Sequence, residues 1–263
     1  MGSDNLSDRY CVDLPVSENF GAEEIGAFYR AGFKKVHISA TDAPFAENEI
    51  SKVFDVASRC GIAPVNLHPY YKYNGFFWHD CLERQDAIEF NKNQLKLCRS
   101  LGIDSMAVHP TQGKGNDIIS PFGVDAFKEL TEEAERCGIV LCVENLRVHL
   151  QLTPIFSAID SPYLKFCYDT GHHNAFAKER DFLKEFGGRM YFTHIHDNDG
   201  QSDSHLLPLD GNIDFSKIRN DFEKLDYNRE LNLEIHPGRQ NYTGDDLYGY
   251  LVKGRERLVK IFG

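Results

Sequence analysis

Short apolar runs alternate with longer stretches in which apolar residues recur every three or four positions. The short runs are YCVDL at 10–14, KKVHIS at 34–39, IAPVNLH at 62–68, IDSMAVH at 103–109, IVLCVE at 139–144, LKFCYD at 164–169, MYFTHIH at 190–196 and LNLEIH at 231–236. Each has the length of a strand and is rich in β-branched or aromatic residues. The stretches between them read as helices. Over 120–138, SPFGVDAFKELTEEAERCG, Ser120 stands where a cap is wanted, Pro121 suits the first turn and Gly138 ends the helix. The stretch from 83 closes on Gly102 in the same way, and 246–262 reads as a final amphipathic helix.

A helix, a glycine and then a strand recur at RAGFKKV (30–36), RCGIAPV (59–65), SLGIDSM (100–106) and RCGIVLC (136–142). That recurrence predicts βα units around a parallel sheet. Eight units within 263 residues predict the α/β class, as a (β/α)8 TIM barrel forming a single domain over 1–263. An open doubly wound sheet is the alternative, but no glycine-rich dinucleotide fingerprint follows the first strand.

Composition narrows the partners. With 29 Lys+Arg against 40 Asp+Glu the net charge is −11, and the basic residues are scattered rather than gathered. That counts against a nucleic-acid partner, which needs clustered cations for the phosphates. No run approaches the apolar length of a membrane span, and the N-terminus carries no apolar leader. The seven cysteines are odd in number and lack a C-x-x-C pair, as expected of free thiols in a reducing, cytoplasmic setting. Cys142 and Cys167 fall within strands and read as core.

Candidate chemistry gathers at one edge of the expected barrel. TIM-barrel sites lie at the C-terminal strand ends. Here those ends carry Asp13, His37, His68, His109, Glu144, Asp169, His194 with His196, and Glu234. Buried together, the carboxylates would repel one another without a cation to neutralise them. Mixed imidazole and carboxylate donors suit zinc, manganese or iron(II) rather than calcium. By strand alternation His194 and His196 share a face, as do Cys142 and Glu144, and Asn232, Glu234 and His236. The segment YFTHIHDNDGQSDSH, 191–205, alone holds three histidines and three aspartates.

These motifs, read in chain order, carry a resemblance: HPYYKYN (68–74), VHP (108–110), VEN (143–145), DTGH (169–172), HDND (196–199), DSH (203–205), DGNIDF (210–215) and LEIHP (233–237). From His68 to the last strand the chain resembles the xylose isomerase-like TIM-barrel superfamily. That superfamily includes sugar isomerases and epimerases, inosose dehydratases and zinc-dependent apurinic endonucleases. The resemblance implies a divalent metal, zinc or manganese, held by Glu144, Asp169, His196 and Glu234. His196 is preferred to His194 because H-x-N-D is the matching pattern. The endonuclease branch adds ligands corresponding to His68, His109, His172, Asp203 and His205, so between one and three ions are implied. Two departures stand out: LDGNID at 209–214 replaces the endonucleases' Gly-Glu-Gly turn, and no arginine occurs between Arg189 and Arg219, where ketose 3-epimerases carry a substrate-gripping one.

The expected activity is isomerisation or epimerisation of a sugar or sugar phosphate. It proceeds by proton transfer next to a carbonyl through an enediolate, with Glu144 and Glu234 as base and acid and His172 on a substrate oxygen. His194, Tyr71 and Trp78 are expected at the substrate, the aromatics roofing a small-molecule pocket. The alternatives are metal-assisted phosphodiester hydrolysis of the apurinic-endonuclease kind and a non-catalytic sugar-binding subunit. The TQGKGN loop at 111–116 reads as a mobile connection, with weak potential to cradle phosphate.

Overall fold

In the computed structural model residues 9–17, 20–112, 117–235 and 244–263 are described, residues 244 and 245 by their backbone only. Eight parallel strands close into a barrel in chain order: β1 (Tyr10–Pro15), β2 (Lys35–Ser39), β3 (Ala63–His68), β4 (Ser105–Val108), β5 (Val140–Glu144), β6 (Leu164–Asp169), β7 (Met190–Ile195) and β8 (Leu231–Leu233). Pairing of β8 with β1 completes the circle. The helices α1 (Ala22–Arg30), α2 (Glu47–Arg59), α3 (Leu82–Leu101), α4 (Pro121–Cys137), α5 (Leu152–Ala158), α6 (Thr170–Phe176), α7 (Phe182–Phe186), α8 (Phe215–Lys224) and α9 (Gly244–Phe262) surround it. The chain is therefore a (β/α)8 TIM barrel, as the repeated βα pattern predicts.

The glycine punctuation works through the backbone. Gly102 and Gly138 end α3 and α4 at φ 74° and φ 70°, a left-handed geometry that a Cβ disfavours. Ser120 does not cap α4 with its side chain, as expected from sequence. Its hydroxyl donates instead to the Trp78 carbonyl at 2.6 Å. Among the described residues no helix is long and apolar enough to cross a membrane.

Strand alternation sorts the barrel interior into levels. The pairs Cys11/Asp13, Cys142/Glu144, Cys167/Asp169 and Phe192/His194 each put an apolar residue two positions before an ionisable one, on the same face. Cys11, Cys142, Cys167 and Phe192 pack together as a small apolar plug, separate from the larger core between sheet and helices. The ionisable partners lie toward the C-terminal rim. Asp13 and His37 join a fully buried polar belt: His37 Nδ1 lies 2.9 Å from Asn66 Oδ1, Asn66 Nδ2 donates to Ser105 Oγ at 2.7 Å, and Asn232 Nδ2 donates to Asp13 Oδ1 at 3.2 Å.

Trp78 is a correction. It ends the 3-10 helix Lys72–Trp78 after β3, but its indole is buried and donates to the Pro110 carbonyl at 2.7 Å. A Cβ at Gly123 in α4 would overlap the indole ring. Trp78 thus fills the core under α4 and does not roof the barrel mouth.

Candidate metal centre

Ten side chains from six strands and the segments that follow them converge on the rim. They are His68, His109, Glu144, Asp169, His172, His194, His196, Asp203, His205 and Glu234, which include every ligand implied by the sequence. Glu144, at the end of β5, is the centre. Its Oε2 lies 3.3 Å from His68 Nε2, 3.2 Å from His109 Nε2 and 3.2 Å from His194 Nδ1, and its Oε1 lies 3.0 Å from His172 Nδ1.

Asp169 ends β6 and caps α6, accepting the His172 amide with Oδ1. Its other oxygen faces His196 Nε2 at 3.2 Å. Capping in turn fixes the first turn of α6, which carries His172 back over the site. There the His172 ring lies between three carboxylates: Nδ1 is also 3.4 Å from Asp169, and Nε2 is 3.2 Å from Asp203. Glu234 directly follows β8, tied by its amide to the Ile195 carbonyl at 3.0 Å. Its carboxylate lies 3.5 Å from His194 Nδ1 and 3.7 Å from His196 Nε2.

The loop after β7 brings Asp203 and His205 home. Asp197 is the organiser, a role that sequence reading missed. Its carboxylate accepts the amides of Leu209, Gly211 and Ile213 at 2.9, 3.0 and 3.1 Å, folding 209–213 back on β7. The departure noted at LDGNID is therefore a carboxylate-bound turn. Asp197 also pairs with Leu206 through two backbone hydrogen bonds. Between them His205 is held at φ 47°, an uncommon conformation for a non-glycine residue. Its ring stacks on His196 with centroids 3.9 Å apart.

Where the site residues expected at the substrate lie is mixed. Tyr71 is half-buried, its ring 4.1 Å from that of His109, beside the cluster. His194 is fully buried at the cluster's base, with Nδ1 toward Glu144, Asp169 and Glu234. Residues 113–116 of the TQGKGN loop and His236 lie outside the described residues.

Electrostatics separates the two glutamates. Burial alone would raise Glu144, but the His194 and His109 imidazoles hold its carboxyl well below the usual range. Glu234 goes the other way: burial first, then the charges of Asp169, Asp13 and Glu144, raise it well above that range. Burial would lower His172, yet Asp169 and Asp203 raise it well above an ordinary histidine. Burial, backed by Glu144, likewise raises the Cys167 thiol well above its ordinary value.

The donor set fits a divalent cation. His68 Nδ1 faces the Pro69 carbonyl at 3.1 Å, which assigns its proton there and leaves the Nε2 lone pair toward Glu144. Two acceptors in contact are stable only with a proton or a cation between them. Both Glu144 oxygens and both His194 nitrogens are buried, and among the described residues none makes a well-aligned hydrogen bond with its close imidazole or carboxylate neighbours. Unsatisfied buried groups on this scale call for a ligand. Overlapping triads, including His68–His109–Glu144, Glu144–Asp169–His172 and His196–His205–Glu234, keep their donor atoms within 4.8 Å of one another. Backbone and carboxylate contacts behind the ligands orient them as metal-binding imidazoles require.

The fold and site define a (β/α)8 barrel with a buried carboxylate–imidazole cluster at its C-terminal rim that could hold a divalent ion. The chain matches the family model for the xylose isomerase-like TIM barrel over residues 22–249, and it belongs to that family. It is 28% identical over 223 residues to the uncharacterized protein y4fM of Sinorhizobium fredii, covering 79% of this chain and 70% of that protein. Its fold is shared with a D-psicose 3-epimerase from Clostridium cellulolyticum H10 solved with D-tagatose, at TM-score 0.78 and 15% identity, covering 97% of this chain and 99% of that one. It is shared also with the IOLI protein solved with a zinc atom, at TM-score 0.73 and 16% identity, covering 97% and 98%.

Proposed function

We propose that the chain is a divalent-metal-dependent isomerase or epimerase of sugars or sugar phosphates. The observation that carries this reading is the placement of Glu144, at the end of β5, and Glu234, just past β8, at one rim, 3.2 and 3.5 Å from the His194 Nδ1 between them. Glu144, ionised, takes a proton from the carbon beside a carbonyl. Glu234 returns one from the other side of the substrate. His172, cationic between its three carboxylates, donates a hydrogen bond to a substrate oxygen, and Tyr71 flanks the entrance. Glu144, Asp169, His196 and Glu234 would hold the ion, which would supply Lewis-acid stabilisation of charge on substrate oxygens. The ketose epimerase and zinc-containing relatives support the reading through their shared fold.

The test is a solvent-deuterium exchange screen over ketoses, aldoses and inososes with metal-supplemented protein. Incorporation of deuterium at a carbon next to the carbonyl of at least one compound is expected. No exchange anywhere in the panel contradicts the proposal.

One observation favours a second reading. Four imidazoles within 3.3 Å of Glu144 suit a carboxylate shared between two ions, an arrangement useful in phosphodiester hydrolysis. The net charge of −11 counts against a DNA substrate. Cleavage of abasic-site DNA by the zinc-supplemented protein would support the second reading over the first.

A further inference from the structure

The interior plug contains a donor that the rim ligands do not include. Cys167 stands on β6, two residues before Asp169 and on the same inward face. Barrel stagger lifts it beside the centre of the cluster: across the β5–β6 ladder Cys167 pairs with Glu144, two positions below the Asp169–His194 pairing of β6 with β7. Cys167, Glu144 and His194 bring one donor atom each within 4.8 Å of one another, and all three are fully buried.

The other plug cysteines do not share this position. Cys11 and Cys142 pack against Cys167 and Phe192 but belong to none of the donor groups among the described residues. Meanwhile all four polar side-chain atoms of the two groups facing Cys167, Oε1 and Oε2 of Glu144 and Nδ1 and Nε2 of His194, are buried without a well-aligned hydrogen bond. A protonated thiol is a weak donor and weak acceptor, so it satisfies neither a buried carboxylate nor a buried imidazole well. A soft donor is what a zinc-like ion prefers and what manganese does not.

We propose that Cys167 is a metal ligand, supplying a thiolate to an ion bound against Glu144 and His194 at the floor of the cluster. The proposal rests on the reading of the rim as a metal centre and deepens it. It makes the site selective for thiophilic divalent ions. When the sulfur–metal bond forms, the S–H bond breaks and its proton leaves to solvent; no oxidant or reductant is involved.

Cobalt(II) reports the thiolate directly, since sulfur-to-cobalt charge transfer gives intense near-ultraviolet absorption that oxygen and nitrogen ligands do not. The metal-stripped full-length protein is titrated with cobalt(II), alongside Cys167→Ser, Cys167→Ala and Cys142→Ser. The expected result is a saturable charge-transfer band in the wild type and in Cys142→Ser, lost in both Cys167 variants while visible d–d bands of bound cobalt remain. Cobalt bound with d–d bands but no charge-transfer band in the wild type overturns the thiolate and leaves the metal centre standing. A band that survives in a folded Cys167 variant also overturns it. Failure of the wild type to bind cobalt overturns both.

Discussion

The His196 ring fills the space that a side chain at Gly171 would take. A Cβ on Gly171 would overlap the His196 ring, so the imidazole reaches Asp169 only because position 171 has no side chain. The two residues come from different strands, one in the first turn after β6 and the other just past β7. Gly171→Ala must therefore displace either the ring or the start of α6. Loss of metal affinity of about 10- to 100-fold is expected, with about 1–3 kcal/mol of destabilisation from overpacking. Metal titration by calorimetry checks it, and an unchanged affinity would contradict the placement of His196.

Glu144→Gln and Glu234→Gln test the acid–base pair. Each should lower solvent-proton exchange into a substrate by about 10²- to 10⁴-fold. The two variants differ in a useful way. At 234 glutamine keeps the shape of the side chain but cannot carry a proton to the substrate, whereas at 144 it removes the charge facing four imidazoles. Near-normal exchange in either variant would sink the assignment.

Trp78 separates packing from substrate contact. Removing a buried indole that fills the space over Gly123 should cost about 3–5 kcal/mol in Trp78→Ala. Trp78→Phe, milder in volume, should leave substrate affinity unchanged once folded. Denaturant unfolding and substrate titration measure the two effects separately. A large affinity loss in a stable Trp78→Phe protein would restore the pocket role that its burial denies.

His173 should make stability depend on pH. Burial holds its pKa below the ordinary 6.5, and its nitrogens face the Tyr168 hydroxyl at 2.7 Å and the Arg180 carbonyl at 2.8 Å. As pH falls below about 6.5 the unfolded chain takes up this proton first. The contribution is therefore complete above that value and is lost as pH falls toward the folded pKa. Other buried histidines titrate too, so the informative quantity is the difference between wild type and His173→Gln. Urea unfolding at pH 7.5 and 5.5 should give a smaller drop for the variant; an equal drop would exclude His173 as a contributor.

Much of this architecture was legible because it depends on local signals. Glycines after helices and the eight apolar runs mark βα units without reference to tertiary contacts. The residues that gather at the rim could be read from strand ends because a barrel carries every C-terminal strand end to one edge. What escaped depended on contacts remote in sequence. Trp78 looked like a mouth aromatic, but its fate is decided by Gly123, forty-five positions away. Asp197 looked like one acid among three in a polar loop, yet it binds amides twelve to sixteen residues on. Cys167 read as core because no spacing rule reveals the stagger that sets it beside Glu144.

Elemental analysis of protein purified without chelators tests the central claim most directly. At least one equivalent of a divalent transition ion per chain is predicted, falling to trace levels in Asp169→Asn combined with Glu144→Gln. A protein that is metal-free as purified and takes up no zinc, cobalt or manganese on titration would contradict the metal centre and the chemistry built on it.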